Sequence, residues 1–382
     1  MDRPEIIMAP GPTPVPPEVF LAQGSPLVYH RGPGYGGLLR RVTDQLKRLY
    51  KTENDVLLFT SSGTGGLESA VANLFSPGDR VVVPVAGYFG ERFAKLATAF
   101  GLDVDRIDYE WGRSVEPADV EAALSDHPAK GVLVQQSETS TGVIHDVQAI
   151  ASVSKAEGAL IAVDCVSSLG AVPFECDAWG IDVAIGGSQK ALSGTPGVSF
   201  TAISPAAWDA SKEAKLPKFY FDWAAYKKSY ELDDPESPFT PAISLIMGLE
   251  AGLEVYFRDG AEAALARHRV LSSAVKEGIR ALGLDLFGDS PDRAWAVTAI
   301  RAPDGIDGDE LVAKVRADHG IILAPGQGPL KGKVFRIGHL GYYDKFDIIR
   351  CLAALEMTLG DMGYPAKRGA AVAAAEDVFA QE

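Results

Sequence analysis

Short β-branched segments alternate with helical patterns along the first half of the chain, and this alternation limits the possible fold more than any other feature. The apolar runs span 55–59, 80–85, 131–136, 159–164 and 183–187. Helical patterns lie between them, near residues 66–75, 90–100, 117–125 and 146–157. Strands separated by helices of roughly ten to fifteen residues are typical of βαβ units, in which helices cover both faces of a parallel sheet. Residues 198–204 follow too closely for a crossover helix, so this run is predicted to be an antiparallel neighbour.

The rest of the chain is organised differently. A Pro-rich start predicts an extended N-terminal arm, and residues 215–241 are predicted to be irregular because they are rich in aromatics and prolines. Further helices are predicted near 243–257, 261–281, 308–318 and 345–360 and in the Ala-rich tail, with strand-like runs at 295–303, 320–325 and 334–341. A chain of 382 residues favours two domains. We therefore expect an arm over 1–15, a large domain over 16–258 and a smaller α+β domain over 259–382.

Charge and cysteine content exclude several classes of protein. The net charge is −15, from 36 basic and 51 acidic residues, which argues against a surface for nucleic acid or anionic membranes. Cys165, Cys176 and Cys351 form no Cys-x-x-Cys pair, so neither a disulfide framework nor a metal site is expected. The first residues lack the pattern of a secretory signal, and a cytoplasmic protein is expected.

Three strand ends carry residues suited to chemistry, and ligands of open α/β sheets bind at this edge. Ser62, Gly63 and Thr64 open a helix after the first strand, as in a phosphate cradle, although a plain capped turn has the same appearance. Asp164 ends a later apolar strand and is expected to pair with a cation, or else to cap the following turn. Lys190 follows the next strand among small residues, where it is either a reactive amine or a surface group.

The order of these three features is more informative than any one of them. A pyridoxal 5′-phosphate (PLP) enzyme needs an anchor for the phosphate, a carboxylate for the pyridine nitrogen and an amine for the aldehyde. The sequence supplies them in that order, and it therefore predicts a PLP enzyme with Lys190 as the residue that holds the cofactor.

At this point the chain resembles the class V aminotransferases of PLP fold type I, on the branch of alanine–glyoxylate and serine–pyruvate aminotransferases. The motifs that carry the resemblance are APGPTPVPPEV, SSGTGGLESAVANL, ETSTGV, VDCVSSLG, GSQKAL, SPFTPAISL and FRIGHLG. They extend over almost the whole chain, and GSQKAL combined with VDCVSSLG is highly specific. The resemblance implies the α/β fold of that family, a large domain with a mostly parallel sheet between helices and a smaller C-terminal α+β domain.

The resemblance also implies roles for individual residues. Lys190 matches the Schiff-base lysine, and Asp164 matches the partner of the pyridine nitrogen. Further positions match contacts to the cofactor: Ser62, Gly63, Thr64 and Gln189 at the phosphate, Phe89 and Val166 on the two ring faces, Thr139 near the phenolic oxygen, and Thr240 from the partner subunit of a homodimer. Arg336 matches the arginine that binds the substrate carboxylate, and Gly11 matches a backbone contact beside it. Ser237 stands where some relatives have a tyrosine, which puts that phosphate contact in doubt.

A second glycine pattern has to be set aside. Residues 32–37, GPGYGG, fit Gly-x-Gly-x-x-Gly, but no strand precedes them, so a dinucleotide site is not supported. We expect a mobile loop near the active site instead. Tyr29, His30 and Arg31 precede it, and the sequence assigns them no role.

The predicted activity is ping-pong transfer of the amino group of alanine or serine to glyoxylate or pyruvate. An aspartate aminotransferase of the same family is the leading alternative, with Arg31 as a second cation for the substrate. A C–S lyase or desulfurase is a further alternative, but Cys351, in the C-terminal part, lies in a predicted helix and is expected to be buried. The last alternative is a non-catalytic subunit of a hydrogenase, against which the complete set of Lys190, Asp164 and Arg336 weighs.

Overall fold

The computed structural model describes residues 5–381, so residues 1–4 of the predicted arm and residue 382 lie outside the described part. The strands of the described part are β1 (Ile6–Ile7), β2 (Asp55–Phe59), β3 (Arg80–Val85), β4 (Asp103–Asp108), β5 (Gly131–Gln135), β6 (Ser137–Glu138), β7 (Val143–Ile144), β8 (Leu160–Asp164), β9 (Val183–Gly187), β10 (Ser199–Ile203), β11 (Val297–Arg301), β12 (Ile321–Ile322), β13 (Ala324–Pro325) and β14 (Val334–Gly338). The α-helices are α1 (Pro17–Gln23), α2 (Pro33–Tyr50), α3 (Gly63–Leu74), α4 (Tyr88–Ala99), α5 (Pro117–Asp126), α6 (Val147–Ala156), α7 (Cys176–Trp179), α8 (Pro205–Glu213), α9 (Trp223–Tyr230), α10 (Ile243–Phe257), α11 (Ala261–Ala281), α12 (Gly308–His319), α13 (Lys345–Asp361) and α14 (Ala370–Phe379). None of these helices combines the length and apolar character needed to cross a bilayer.

A seven-stranded sheet in the order β2-β10-β9-β8-β5-β3-β4 forms the centre of the N-terminal part. Its strands are parallel except β10, which runs antiparallel to both neighbours and sets Phe200 opposite Gly186 and Leu58. Strands β5, β9 and β10 are buried along their whole length, as expected for a sheet covered on both faces. The predicted α/β fold and the antiparallel run are therefore confirmed.

The C-terminal part has a small antiparallel sheet, β11-β14-β13, and a separate hydrophobic cluster packed under α11 and α13. The N-terminal arm joins this part, because β1 pairs in parallel with β12 and Met8 is buried in the same cluster. The Gly338 N–H also donates to the Met8 carbonyl, at 2.6 Å. The limits 1–15, 16–258 and 259–382 for the arm and the two domains stay a proposal.

Two local predictions are wrong, and one strand was not predicted. The GPGYGG segment is no loop: it forms the first turns of α2, with Pro33 at the first helical position, where its missing N–H costs no hydrogen bond. Residues 215–241 are not irregular throughout, because Asp222 caps α9 by accepting from the Ala224 N–H. Strand β4 lies at the sheet edge and was not predicted, since its exposed, acidic sequence lacks the apolar pattern of a buried strand.

Candidate active site

The carboxyl ends of β2, β8 and β9 open onto one cavity of about 200 Å³. Nine residues predicted to contact a cofactor line it together: Ser62, Gly63, Thr64, Phe89, Thr139, Asp164, Val166, Gln189 and Lys190. Leu67, Arg92, Ser137 and Ser167 complete the lining. Residues separated by more than a hundred positions therefore meet where the topology of an α/β sheet places ligands.

The start of α3 forms an anion-binding corner of this cavity. Ser62 is the N-cap but its side chain accepts no capping hydrogen bond, and the first N–H groups of a helix lack intrahelical partners. A Cβ on Gly63 would lie 2.6 Å from Val166 Cγ2, so only glycine leaves the corner open. Those free donors and the helix dipole favour a bound anion.

Two polar atoms of the lining, Gln189 Oε1 and Ser137 Oγ, are buried and have no hydrogen-bond partner among the described residues. Buried polar atoms are normally paired, so these two indicate a ligand that completes the site. A glutamine amide is symmetric in shape, and either of its ends can be turned toward that ligand.

Asp164 is buried at the end of β8, where one of its oxygens accepts the Val166 N–H at 2.9 Å. Burial raises the pKa of this carboxyl, while the Val166 N–H and the charges of Arg92 and Lys190 oppose the increase. Asp164 forms no ion pair within residues 5–381. A buried carboxylate in this setting is suited to a cationic ligand atom.

Lys190 follows β9 and lines the same cavity. Burial lowers the pKa of its amine to about 8, against the opposing attraction of Asp164. The Nζ donates to the Pro10 carbonyl of the N-terminal arm at 2.7 Å, so the arm contacts the lysine directly. A neutral fraction of this amine is therefore available near physiological pH, as a nucleophile or a base needs.

The arm approaches the lysine through Gly11, which has a φ of +144°. A Cβ at this position would lie 2.7 Å from Lys190 Cε and closer still to Nζ, so a side chain and the present lysine position exclude each other. Gly11, predicted to contact the substrate, is therefore next to Lys190, although it is not part of the cavity lining.

Phe89 lies in the first turn of α4, and a buried acid holds that turn in place. The Glu138 carboxylate accepts the N–H groups of Phe89 and Gly90 at 3.0 and 3.1 Å, and also the side chain of Gln135. Burial raises the pKa of Glu138, and the hydrogen bonds from Ser140, Gly90 and Phe89 counteract the increase. The sequence analysis did not predict that Glu138 holds the first turn of α4, because it identified Glu138 only as part of the ETSTGV segment.

Arg92 is a lining residue that the sequence analysis missed. Its guanidinium lies 4.8 Å from the centre of the Phe89 ring, and it donates to Thr64 Oγ1 at 3.2 Å. The signal was present in the sequence, since a residue three positions after Phe89 in a helix lies on the same face. Arg92 adds a positive charge on the side of the cavity formed by Thr64.

Arg336 lies next to the cavity and is buried in β14. Its guanidinium donates to the Thr139 carbonyl at 2.9 Å and to the Pro325 carbonyl at 2.9 and 3.2 Å. Burial lowers its pKa to about 10, with the Glu138 charge acting in the opposite direction. These carbonyls use three of the five N–H donors, which leaves two for a ligand.

The structure does not bring every predicted residue to the cavity. Thr240 is exposed and outside the lining, so its predicted contact with the partner subunit's cofactor is untested by this chain. Ser237 is buried against the Tyr35 hydroxyl at 2.6 Å. Tyr29 is exposed, and Arg31 forms an ion pair with Glu236 at 2.8 Å.

Comparison with known sequences decides the family. The profile of the family Aminotransferase class-V matches residues 22–335. The chain belongs to the class V aminotransferases. This confirms the resemblance on which the roles of the individual residues were based.

Among the relatives of this class V aminotransferase, a Synechococcus protein named soluble hydrogenase, small subunit, is 42% identical, with 98% of each chain covered. An L-aspartate–glyoxylate aminotransferase of Paracoccus denitrificans is 37% identical over 98% of this chain and 96% of its own. The crystal structure of a ureidoglycine–glyoxylate aminotransferase from Bacillus subtilis superimposes with a TM-score of 0.95 at 32% identity, over 100% of this chain and 99% of the other.

The family implies PLP, and the residues of this class V aminotransferase fit that group. The α3 corner suits a phosphate, Asp164 suits a protonated ring nitrogen, and Lys190 suits an aldehyde. The buried unpaired atoms of Gln189 and Ser137 lie in the same lining. The residues that would hold the cofactor are therefore the nine predicted ones, with Arg92 and Ser137 in addition.

Proposed function

We propose that the protein transfers the amino group of a small amino acid, alanine or serine, to glyoxylate or pyruvate in a PLP-dependent ping-pong reaction. The observation that carries the proposal is the meeting of Asp164 and Lys190 across one cavity, with an anion-binding helix start beside them. When bound, PLP supplies an electron sink for negative charge at the substrate Cα.

Three side chains would have separate roles in this reaction. Lys190 Nζ, with a pKa of about 8, would act as the base that takes the proton from the substrate Cα. Asp164 would stabilise a protonated ring nitrogen of the bound cofactor, because a buried carboxylate stabilises a cation beside it. Arg336 holds the substrate carboxylate with its remaining donors, as a planar guanidinium does well.

Charge around the cavity supports a substrate with one carboxylate. Arg31, the predicted second cation, is paired with Glu236 in this chain. Arg92 does line the cavity, but it lies beside Thr64, in the corner assigned to the phosphate. An aspartate side chain would need a further cation, because a buried unpaired carboxylate is costly. The name of the Paracoccus relative keeps aspartate as the rival donor.

We further infer a cytoplasmic homodimer in which Thr240 reaches the partner's cofactor phosphate. The exposed aromatic segment around Phe219 and Tyr220, close to Phe239, supports a buried contact in the assembly. Three buried cysteines without a disulfide suit a reducing compartment. Sedimentation of the active protein at micromolar concentration tests the dimer, and an active monomer would refute it.

The test of the function is a donor panel on the PLP-loaded protein, with kcat/KM for alanine, serine and aspartate at fixed glyoxylate and at fixed pyruvate. Replacing Lys190 with methionine is expected to abolish turnover. Lys276→Met is the matched control. Lys276 is also a buried lysine with a pKa lowered to about 8, but it lies outside the cavity.

The outcomes separate the alternatives. Turnover by alanine or serine that needs Lys190 supports the proposal. A clear preference for aspartate, lost in Arg31→Ala, would replace the donor and keep the enzyme class. No transfer from any donor by protein saturated with PLP would refute the proposal and favour the role that the name of the Synechococcus relative gives to that protein.

A further inference from the structure

A second, larger cavity of about 580 Å³ lies in the C-terminal part and shares no lining residue with the cavity around Lys190. One wall is a face of α11 that presents Arg267, Val270 and Leu271. The other walls are the segment 342–347, which leads into α13, and Phe379 near the end of α14. Its size is within the range of small-molecule sites, roughly 300–1,000 Å³.

The walls are mainly apolar and partly open to solvent. Leu271 and Tyr343 are buried at 3% exposure each, whereas Tyr342 and Phe346 expose 40% and 61% of their surface. Aromatic rings left exposed around a concavity are typical of binding sites rather than of an ordinary surface. An apolar ligand body would cover them.

Arg267 is the partly buried cation of the cavity, whereas Lys345 is exposed. Within residues 5–381 the Arg267 guanidinium has neither a hydrogen bond nor an ion pair. Burial lowers its pKa, with Asp259 and two tyrosines acting in the opposite direction. A partly desolvated guanidinium gains most from a carboxylate, which it binds with two parallel hydrogen bonds.

The two acidic residues of the lining, Asp344 and Asp347, do not pair with Arg267. Asp344 caps α13 by accepting the N–H groups of Phe346 and Asp347 at 2.7 and 3.0 Å, and Asp347 accepts the Asp344 N–H in return. The remaining cation, Lys345, lies 5.3 Å from the centre of the Phe346 ring. The acids are thus held by the helix start, and the unpaired charge of the cavity is positive.

We propose that this cavity is a binding site for a monocarboxylate with an apolar body, whose carboxylate pairs with Arg267 while its body lies against Val270, Phe346 and Phe379. The site is separate from the amino-transfer site, and the proposal does not depend on the proposed function. The C-terminal part would therefore bind a ligand that is different from the substrates of the amino-transfer site.

Calorimetric titration of the PLP-loaded protein with octanoate tests the site, with acetate and 1-octanol as probes that lack the tail or the charge. We expect saturable binding of one octanoate per chain and much weaker binding of both other probes. Arg267→Gln should weaken octanoate binding at least tenfold. Arg269→Gln, an exposed position on the same helix, is the matched control and should change it less than twofold. Phe379→Ala should weaken binding through the lost apolar contact.

Two results would overturn the proposal. The first is the absence of saturable octanoate binding, or equal affinity in the wild type and Arg267→Gln. The second is binding that glyoxylate displaces and Arg336→Gln abolishes, because the octanoate would then lie at the site beside Lys190. Circular dichroism of each variant ensures that the comparison is made between folded proteins.

Discussion

Substitution of Gly11 by alanine probes the contact between the N-terminal arm and Lys190. The added methyl group would lie 2.7 Å from Lys190 Cε and 2.9 Å from Cδ, whereas carbon atoms pack at about 3.5–4.0 Å. A lysine side chain moves more easily than the surrounding backbone. We therefore expect the amine to shift by about 1 Å, away from the Pro10 carbonyl that now accepts its hydrogen bond.

The substitution has two separate costs, one in stability and one in rate. The φ of +144° is unfavourable for alanine, and such strain costs about 1–3 kcal/mol of folding free energy. A displacement of about 1 Å at a catalytic group costs roughly 100-fold in rate. Gly11→Ala should therefore lose about two orders of magnitude in kcat/KM while its Tm falls by only a few degrees.

The assay measures kcat/KM for alanine and glyoxylate, the Tm, and the occupancy of PLP by its absorbance. Gly260→Ala is the matched control, because Gly260 has a φ of +92° but open space around the position of a Cβ. This control carries the strain without the contact to Lys190 and should keep its activity. Activity of Gly11→Ala within threefold of the wild type, or an equal loss in Gly260→Ala, would refute the reasoning.

Three other substitutions test separate parts of the structure. Asp164→Asn should retain PLP but lose about 100- to 1,000-fold in kcat, because an amide does not hold the ring proton; an unchanged kcat would contradict this role. Glu138→Gln should lower the unfolding free energy by about 1–3 kcal/mol. One carboxylate oxygen accepts the buried N–H groups of Phe89 and Gly90 and the other accepts that of Ser140, whereas an amide has a single acceptor oxygen, so one set of donors loses its acceptor. Denaturant titration measures the loss, and Glu310→Gln, at an exposed site, is the control. Lys276→Met should raise the Tm below pH 8. Burial lowers the pKa of Lys276 from 10.5 to about 8, so below pH 8 the folded wild type carries a buried positive charge that destabilises it. This destabilisation is about 3 kcal/mol, from which the hydrogen bond to the Ala294 carbonyl has to be subtracted. Because the folded state loses that proton between pH 8 and 10.5, the wild type recovers stability as the pH rises, and calorimetry should show the difference vanishing above about pH 10; a difference that grows with pH would contradict the assignment.

The buried part of the fold was predictable because burial leaves a direct record in the sequence. Strands such as β5 and β9 are buried along their whole length and lack charged residues, and the residues that follow them lie at the edge of the sheet. Elements held by tertiary contacts were not predictable. Strand β4 is fixed by its register with β3, and the glycines of α2 are tolerated because Gly36 packs directly against Pro235.

The residues of the candidate site likewise include some that were predictable from the sequence and some that were not. Asp164 ends β8 and Lys190 follows β9, so their meeting could be inferred from topology alone. Arg92 and Glu138 act through the first turns of α4, and their contacts depend on how that helix is placed on the sheet. The surroundings of Arg267 involve three helices distant in sequence, and no local pattern indicates such a cavity.

The N-terminal arm has a consequence for the order in which the protein can mature during synthesis. Ile6 and Ile7 leave the ribosome long before Ile321 and Ile322, the residues with which they pair. At about 5–20 residues per second, the intervening stretch takes on the order of tens of seconds to make. Until those partners emerge, the nascent chain carries Lys190 without the Pro10 carbonyl held against it. Lys190, the proposed catalytic lysine, is therefore made well before β12, the strand that pairs with the arm and holds it beside the lysine.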